Sequence, residues 1–196
     1  ATPDDRVAAA AQLMVSVADQ SNLTLDPDLD SFYAMDAVTV RLPALMLASE
    51  RLRAAIVAPT EGETRAAALS SALDRFDGAS GAVITSLNSA MDHNTSGQTR
   101  RVLAAETRAL KATLARINAH GPALLAGAGG ADDTLAALAA VDSLAPRLWT
   151  KTNAELARLL QARINGLNGK LLLDGAIVLV LLAASGLLAF LIARGM

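Results

Sequence analysis

The chain has 196 residues, of which 53% are hydrophobic and 18% are charged, and its formal net charge is -2. This apolar content excludes an intrinsically disordered chain, and the absence of a basic excess argues against a nucleic-acid partner. Cysteine is absent, which excludes disulfides and thiolate chemistry. Aromatic residues make up only 3%, while Ala and Leu are abundant, so long helices and an all-α fold are favoured over a sheet.

The first part of the chain predicts two helices. In residues 4–20, apolar or small side chains recur at helical spacing, at Val7, Ala10, Met14 and Val17. A second helix is predicted to begin at Pro27, because Asp26 can accept free amides of the first turn and proline costs no hydrogen bond at the first helical position. Pro43 should kink this helix and Pro59 should end it. Its expected core face is Met35, Val38, Leu42, Leu45, Leu52 and Ile56.

Two long helices and a further helical stretch are predicted next. The third helix should start after Thr60, with a core face at Leu69, Leu73, Phe76, Ser80, Val83, Leu87 and Ala90. The turn should be residues 94–97, since Asn, Thr, Ser and Gly compete with helix. The fourth helix should run from Gln98 with a face at Leu103, Thr107, Leu110, Leu114 and Ile117, and glycines 127, 129 and 130 should break it. Asp132 and Asp133 should cap a stretch that Pro146 interrupts or bends.

The last helix is predicted to cross a membrane. Residues 175–193 contain no charged side chain, and about 20 apolar residues span the roughly 30 Å of hydrocarbon in a bilayer. The alternative is a buried core helix, but such helices are usually shorter and keep a polar stripe. An apolar face leads into the span without a proline, so the helix could carry a shift from the soluble part across the membrane. Gly166 and Gly169 could instead form a hinge, which would prevent this. That face is Leu156, Leu160, Ile164, Leu167 and Leu171.

The residues indicate no enzymatic, metal or cofactor chemistry. Asp26, Asp28 and Asp30 are spaced like the start of a calcium loop, but the position that requires Gly is Ser31, and helix capping is the preferred interpretation. His93 and His120 stand at predicted helix ends without a second ligand at metal-binding spacing. We therefore expect neither catalysis nor a cofactor in this part of the protein.

Acidic residues are unusually dense at the start of the second helix, which makes this region the candidate ligand site. The candidate ligand-binding residues are Asn22, Asp26, Asp30, Tyr33, Asp36 and Arg41. Arg41 is included because a planar guanidinium can receive a carboxylate. Alternatively, Arg41 binds no ligand and forms, together with Arg51 and Arg53, the solvated face of an amphipathic helix.

Two runs of sequence resemble bacterial transmembrane receptors. The run Ser21 to Asp36, followed by Arg41-Leu42-Pro43, is similar to the extracytoplasmic helical region of methyl-accepting chemotaxis proteins and sensor histidine kinases. Residues 153–167 are similar to the membrane-proximal part of the same proteins. The resemblance implies a periplasmic bundle, a second membrane helix in the bacterial inner membrane, and a cytoplasmic HAMP and signalling module after Met196. The charges that flank the span do not fix its orientation by themselves.

The expected architecture is an elongated antiparallel helical bundle of the four-helix type. Residues 1–170 would form the extracytoplasmic sensor domain, residues 171–194 the transmembrane helix, and residues 195–196 the start of a missing cytoplasmic part. Ser185, Ala189 and Ala193 form a small-residue stripe that weakly supports pairing, and a homodimer through the long helices is expected.

Two functions from different classes remain open from the sequence. The first is an input module that senses a ligand or stress and transmits a conformational shift through its last helix. The alternative is a membrane-anchored helical interaction or structural protein without a small-molecule ligand. A tail-anchored protein with a cytosolic bundle is a third possibility.

Overall fold

The computed structural model describes residues 28–59 and 62–195, together with positions 9, 12–13, 15–17 and 20. In the two long ranges the α-helices are α1 (Leu29–Asp36), α2 (Leu42–Val57), α3 (Gly62–His93), α4 (Gln98–Leu125) and α5 (Ala131–Gly195), and a π-helical turn (Ala37–Arg41) joins α1 to α2. The predicted all-α bundle is confirmed. The chain divides into a first compact unit, residues 1–156, and a second, residues 157–196.

The apolar faces expected from the sequence form much of the core of the first unit, and α5 adds Leu138, Val141 and Leu148, which the sequence analysis did not single out. Helices α1 and α2 both pack against α3, and α3 packs against α4. All six core positions predicted for the second helix are buried, and Phe76 of α3 and Leu110 of α4 have no exposed surface. The spacings of three and four residues therefore identified the faces that pack, because such residues lie on one side of a helix.

The helix boundaries follow local chemistry closely. Helix α1 begins at Leu29, two positions after Pro27, with Asp28 as its N-cap in extended conformation. Asp26 and Pro27 lie outside the described residues. The α3–α4 turn is where it was predicted, and Gly97 adopts the left-handed φ of 67° that favours glycine. Helix α4 runs through Gly121 and Pro122 and ends at Leu125.

Pro43 perturbs the second predicted helix through a π-helical turn. The N–H of Leu42 donates to the carbonyl of Ala37, five residues back, directly before the proline. The sequence indicated a disturbance at this point but not its form. In α5, by contrast, Pro146 lies inside a helix that is not interrupted.

The second unit consists of the C-terminal part of α5. Apolar side chains are strongly exposed here, from 76% for Leu172 to 50% for Ile177. Helix α5 is long and apolar enough to cross a membrane, with a mean hydropathy of 1.8 in its most apolar window. Gly166 and Gly169 lie inside this helix.

We expect Phe76→Ala to lower the free energy of unfolding by about 3–5 kcal/mol, because it removes a fully buried ring and leaves a cavity. The matched control is Val57→Ala, at a side chain that is 62% exposed, which should change stability by less than about 0.5 kcal/mol. Denaturant unfolding followed by circular dichroism measures both. Equal effects of the two substitutions would contradict this core assignment.

Candidate functional site

Three of the predicted ligand residues share one side of α1, where each contacts α3 or the turn that follows it. Asp30 bonds to Asn94, the ring of Tyr33 lies against that of His93, and Asp36 bonds to Ser86. The spacing of three residues places Asp30, Tyr33 and Asp36 on the same face of a helix. Asn22 and Asp26 lie outside the described residues.

Arg41 and Asp36 form an ion pair at the π-helical turn. Arg41 donates from Nε to Asp36 Oδ2 at 2.9 Å, and the Ser86 hydroxyl donates to the same carboxylate oxygen. The Asp36 side chain is only 16% exposed, while that of Arg41 is 41% exposed. The Nε of Arg41 is thus already engaged by Asp36, and a ligand that used this atom would have to displace that carboxylate.

A chain of polar contacts begins at Asp30. Its Oδ2 accepts a hydrogen bond from Asn94 Nδ2 at 2.8 Å, and its Oδ1 accepts one from the amide of Ser31 at 2.8 Å. The Oδ1 of Asn94 then accepts from the Ser96 hydroxyl at 2.8 Å and from the Thr99 amide at 3.3 Å. One side chain in the α3–α4 turn therefore connects α1 with the first turn of α4.

The chain continues from α4 to α5. The Thr99 hydroxyl donates to Glu155 Oε1 at 2.6 Å. Thr99 has no exposed surface, Glu155 is 3% exposed and Asn94 is 8% exposed. We call Asp30, Asn94, Thr99 and Glu155 the polar network. It joins α1, the α3–α4 turn, α4 and α5 within the first unit.

Sequence reasoning missed most of the polar network. Only Asp30 was singled out, whereas Asn94 was interpreted as part of a turn and Glu155 was not considered. A usable signal existed in α5, because Leu148, Thr152 and Glu155 recur at the helical spacing of buried positions. A carboxylate in such a position indicates a partner on a neighbouring helix.

Aromatic side chains cover the outer side of this region. The rings of Tyr33 and His93 have centroids 5.6 Å apart and are tilted by 30°, and Phe32 meets Tyr33 edge to face at 5.3 Å. The Nδ1 of His93 is 2.8 Å from the Ser89 carbonyl oxygen. Tyr33 is thus held between two rings, which is a packing role in this state.

An ion pair joins α4 to α5 farther along the bundle. The Lys151 ammonium donates to Glu106, and this hydrogen bond lowers the pKa of the Glu106 carboxyl below its ordinary value of 4.5, although burial opposes the shift. A carboxyl with a lowered pKa stabilises the folded state most when it is ionised.

Two open clefts lie between the start of α3 and the end of α4. Their volumes are about 460 Å³ and 340 Å³, and both include Leu125. Arg65 lies at the first cleft, and Asp74 and Asp77 lie at the second. Of the predicted ligand residues that the structure describes, none lines either cleft, so that part of the candidate site lies apart from these two concave surfaces.

Comparisons with protein-family models, with curated proteins and with solved structures find no match to this chain.

We expect Thr99→Val to lower the free energy of unfolding by about 1–3 kcal/mol, because it removes the hydroxyl donor to a buried carboxylate while keeping the side-chain volume. The control is Thr85→Val on the exposed side of α3, for which the change should stay within about 0.5 kcal/mol. Denaturant unfolding at neutral pH compares them. The polar network would not be a stabilising contact if Thr99→Val matched the control.

The contribution of Glu106 to stability should depend on pH in a defined direction. It should be fully present above about 4.5, the ordinary pKa that the unfolded chain retains, and be lost as the pH falls through the lowered pKa of the folded state. Thermal unfolding of the native protein and of Glu106→Gln from pH 7 to pH 3 measures this. The stability difference between them should shrink on acidification, and a difference that is constant or grows would contradict the lowered pKa.

Proposed function

We propose that the first unit is the sensory input module of a bacterial transmembrane receptor, with its bundle in the periplasm and α5 as the element that carries the signal across the inner membrane. The observation that carries this proposal is the polar network, which links α1 to the α3–α4 turn through a partly buried hydrogen bond and this turn to Glu155 of α5 through buried ones. The same helix later contains the exposed apolar segment from Leu171 to Leu182.

Buried hydrogen bonds are suited to this task because they depend strongly on geometry. A buried carboxylate that loses its donor bears a desolvation cost. A bundle with such bonds between helices favours discrete arrangements, which is the requirement for a switch. The polar network would hold α5 in one arrangement until a signal replaces one of its bonds.

The proposed signal acts on α1. Asp30 and Asp36 already accept hydrogen bonds from Asn94 and Ser86, so a ligand with donor groups would compete with these partners. Loss of the Asp30–Asn94 bond would free the Asn94 side chain, which also accepts from the Thr99 amide. The change would thereby reach Thr99, whose hydroxyl donates to Glu155.

The proposed receptor is a homodimer. Ile164, Leu167 and Leu171 are 50%, 54% and 69% exposed, and their spacing places them on one face of α5. The polar side chains of Asn165, Asn168 and Lys170 lie between them in the sequence, so this part of the helix is amphipathic. An apolar stripe on an otherwise polar helix is the pattern by which two helices pair.

A hybrid receptor tests the proposal. Residues 1–196 are fused to the cytoplasmic part of a characterised chemoreceptor or sensor kinase, and output is measured at equal membrane abundance. Glu155→Gln and Thr99→Val should change the basal output at least threefold, because both alter the bond between α4 and α5, while Thr85→Val should leave it unchanged.

The outcome separates the two classes of function. Unchanged output from a folded Glu155→Gln hybrid would contradict the input module and favour a membrane-anchored interaction protein. Alkaline phosphatase and fluorescent-protein fusions on either side of the span report the side on which the bundle lies. An active phosphatase fused to the bundle is expected, and an inactive one would contradict the periplasmic location.

A further inference from the structure

The π-helical turn between α1 and α2 leaves one backbone carbonyl to be satisfied from outside the helix. Leu42 donates its N–H to Ala37, so it is not the partner of Val38. The residue five positions after Val38 is Pro43, which has no N–H. The indole Nε1 of Trp149 donates to the Val38 carbonyl at 3.0 Å and so replaces the missing backbone donor.

In an uninterrupted α-helix the carbonyl without a backbone donor would be one residue later, at Thr39. Leu42 would then donate to Val38, and the carbonyl of Thr39 would face the nitrogen of Pro43. The α-helical arrangement would also press the Pro43 ring against the Thr39 carbonyl, four residues back, and the wider π-helical turn relieves this contact. Trp149 supplies a donor to the Val38 carbonyl, which the π-helical turn leaves without one.

The ion pair of Asp36 and Arg41 also depends on the π-helical turn. At 3.6 residues per turn, side chains five positions apart point about 140° away from each other on an α-helix. The wider π-helical turn brings positions i and i+5 together, and the Arg41 Nε to Asp36 Oδ2 distance is 2.9 Å. Ser86 of α3 donates to the same carboxylate, so this pair is anchored on a second helix.

We infer that Ala37–Arg41 is a two-state segment whose π-helical form is selected by Pro43 and held by the Trp149 indole on α5. Without the indole bond the segment reverts to α-helix, the Asp36–Arg41 pair opens, and α1 turns relative to α2 by about one residue, or 100°. Trp149 is thus a positioning residue for the α1 face that bears Asp30, Tyr33 and Asp36. This inference concerns the conformation of the chain and holds whether or not the protein is a receptor.

The chain is well suited to a direct test, because Trp149 is its only tryptophan. In nitrogen-15 NMR of the full chain in lipid nanodiscs, a single indole N–H resonance therefore reports on the bond to Val38. In the native protein this proton should be protected from exchange with solvent. Pro43→Ala removes the ring contact with the Thr39 carbonyl and so should favour the α-helical form, in which Leu42 donates to Val38 and indole exchange rises by roughly tenfold or more. The control is Pro122→Ala, an internal proline of α4, which should leave the indole unchanged.

The second variant examines the indole itself. Trp149→Phe keeps an aromatic ring and removes the donor, so the backbone carbon-13 carbonyl shifts of residues 37–41 should move in the same direction as in Pro43→Ala. If these shifts stay at their native values in Trp149→Phe, the indole does not hold the π-helical form and the inference is wrong. It is equally wrong if Pro43→Ala leaves the indole protected. Circular dichroism confirms that each variant keeps its helical content.

Discussion

The carboxylate of Glu155 is removed from water on a face of α5 whose neighbouring buried residues include Leu148 and Leu156. Such a group is stable only if donors reach it from other helices, and the Thr99 hydroxyl is one of them. Thr99 is itself positioned by the α3–α4 turn, where the side chain of Asn94 accepts a hydrogen bond from the Thr99 amide. The hydrogen bond to the buried carboxylate therefore fixes the position of α4 against α5 together with apolar packing. Fewer arrangements of these two helices satisfy both conditions.

Hydrogen bonds to other elements also hold α1 in place. Helix α1 has only eight residues and continues through the π-helical turn into α2, so its position depends on tertiary contacts as well as on the helix that follows it. Polar bonds tie it at both ends, through Asp30 to Asn94 and through Asp36 to Ser86. Just beyond it, Trp149 binds the Val38 carbonyl. Ala34 and Met35 of α1 are also buried, so a ligand that competes for the polar bonds would act on a helix that apolar packing still holds against the bundle.

Much of the bundle could be predicted from the sequence, because burial follows the helical period and glycine and proline mark the boundaries. The faces through Leu45, Phe76 and Leu110 and the turn before Gln98 are of this kind. The π-helical turn could not be predicted, since the apolar spacing through Val38 and Leu42 is that of an ordinary α-helix and the distinction depends on a donor 111 positions away in the chain. The polar network was missed for the same reason. Its bonds connect residues that only the packing of helices brings together.

The side chains of α5 change character along its length, and this bears on how a signal could pass. In the first unit the helix has an apolar face and polar bonds to its neighbours, whereas from Leu171 to Leu182 its apolar side chains are exposed. Lipid offers no hydrogen-bonding partner, so within a membrane nothing polar would resist a small rotation or axial shift of such a helix. In the proposed receptor, the position of the span would then be decided on the bundle side, where Glu155 and Trp149 bind to other helices. A change in either bond is thus the kind of event that an otherwise apolar helix can transmit.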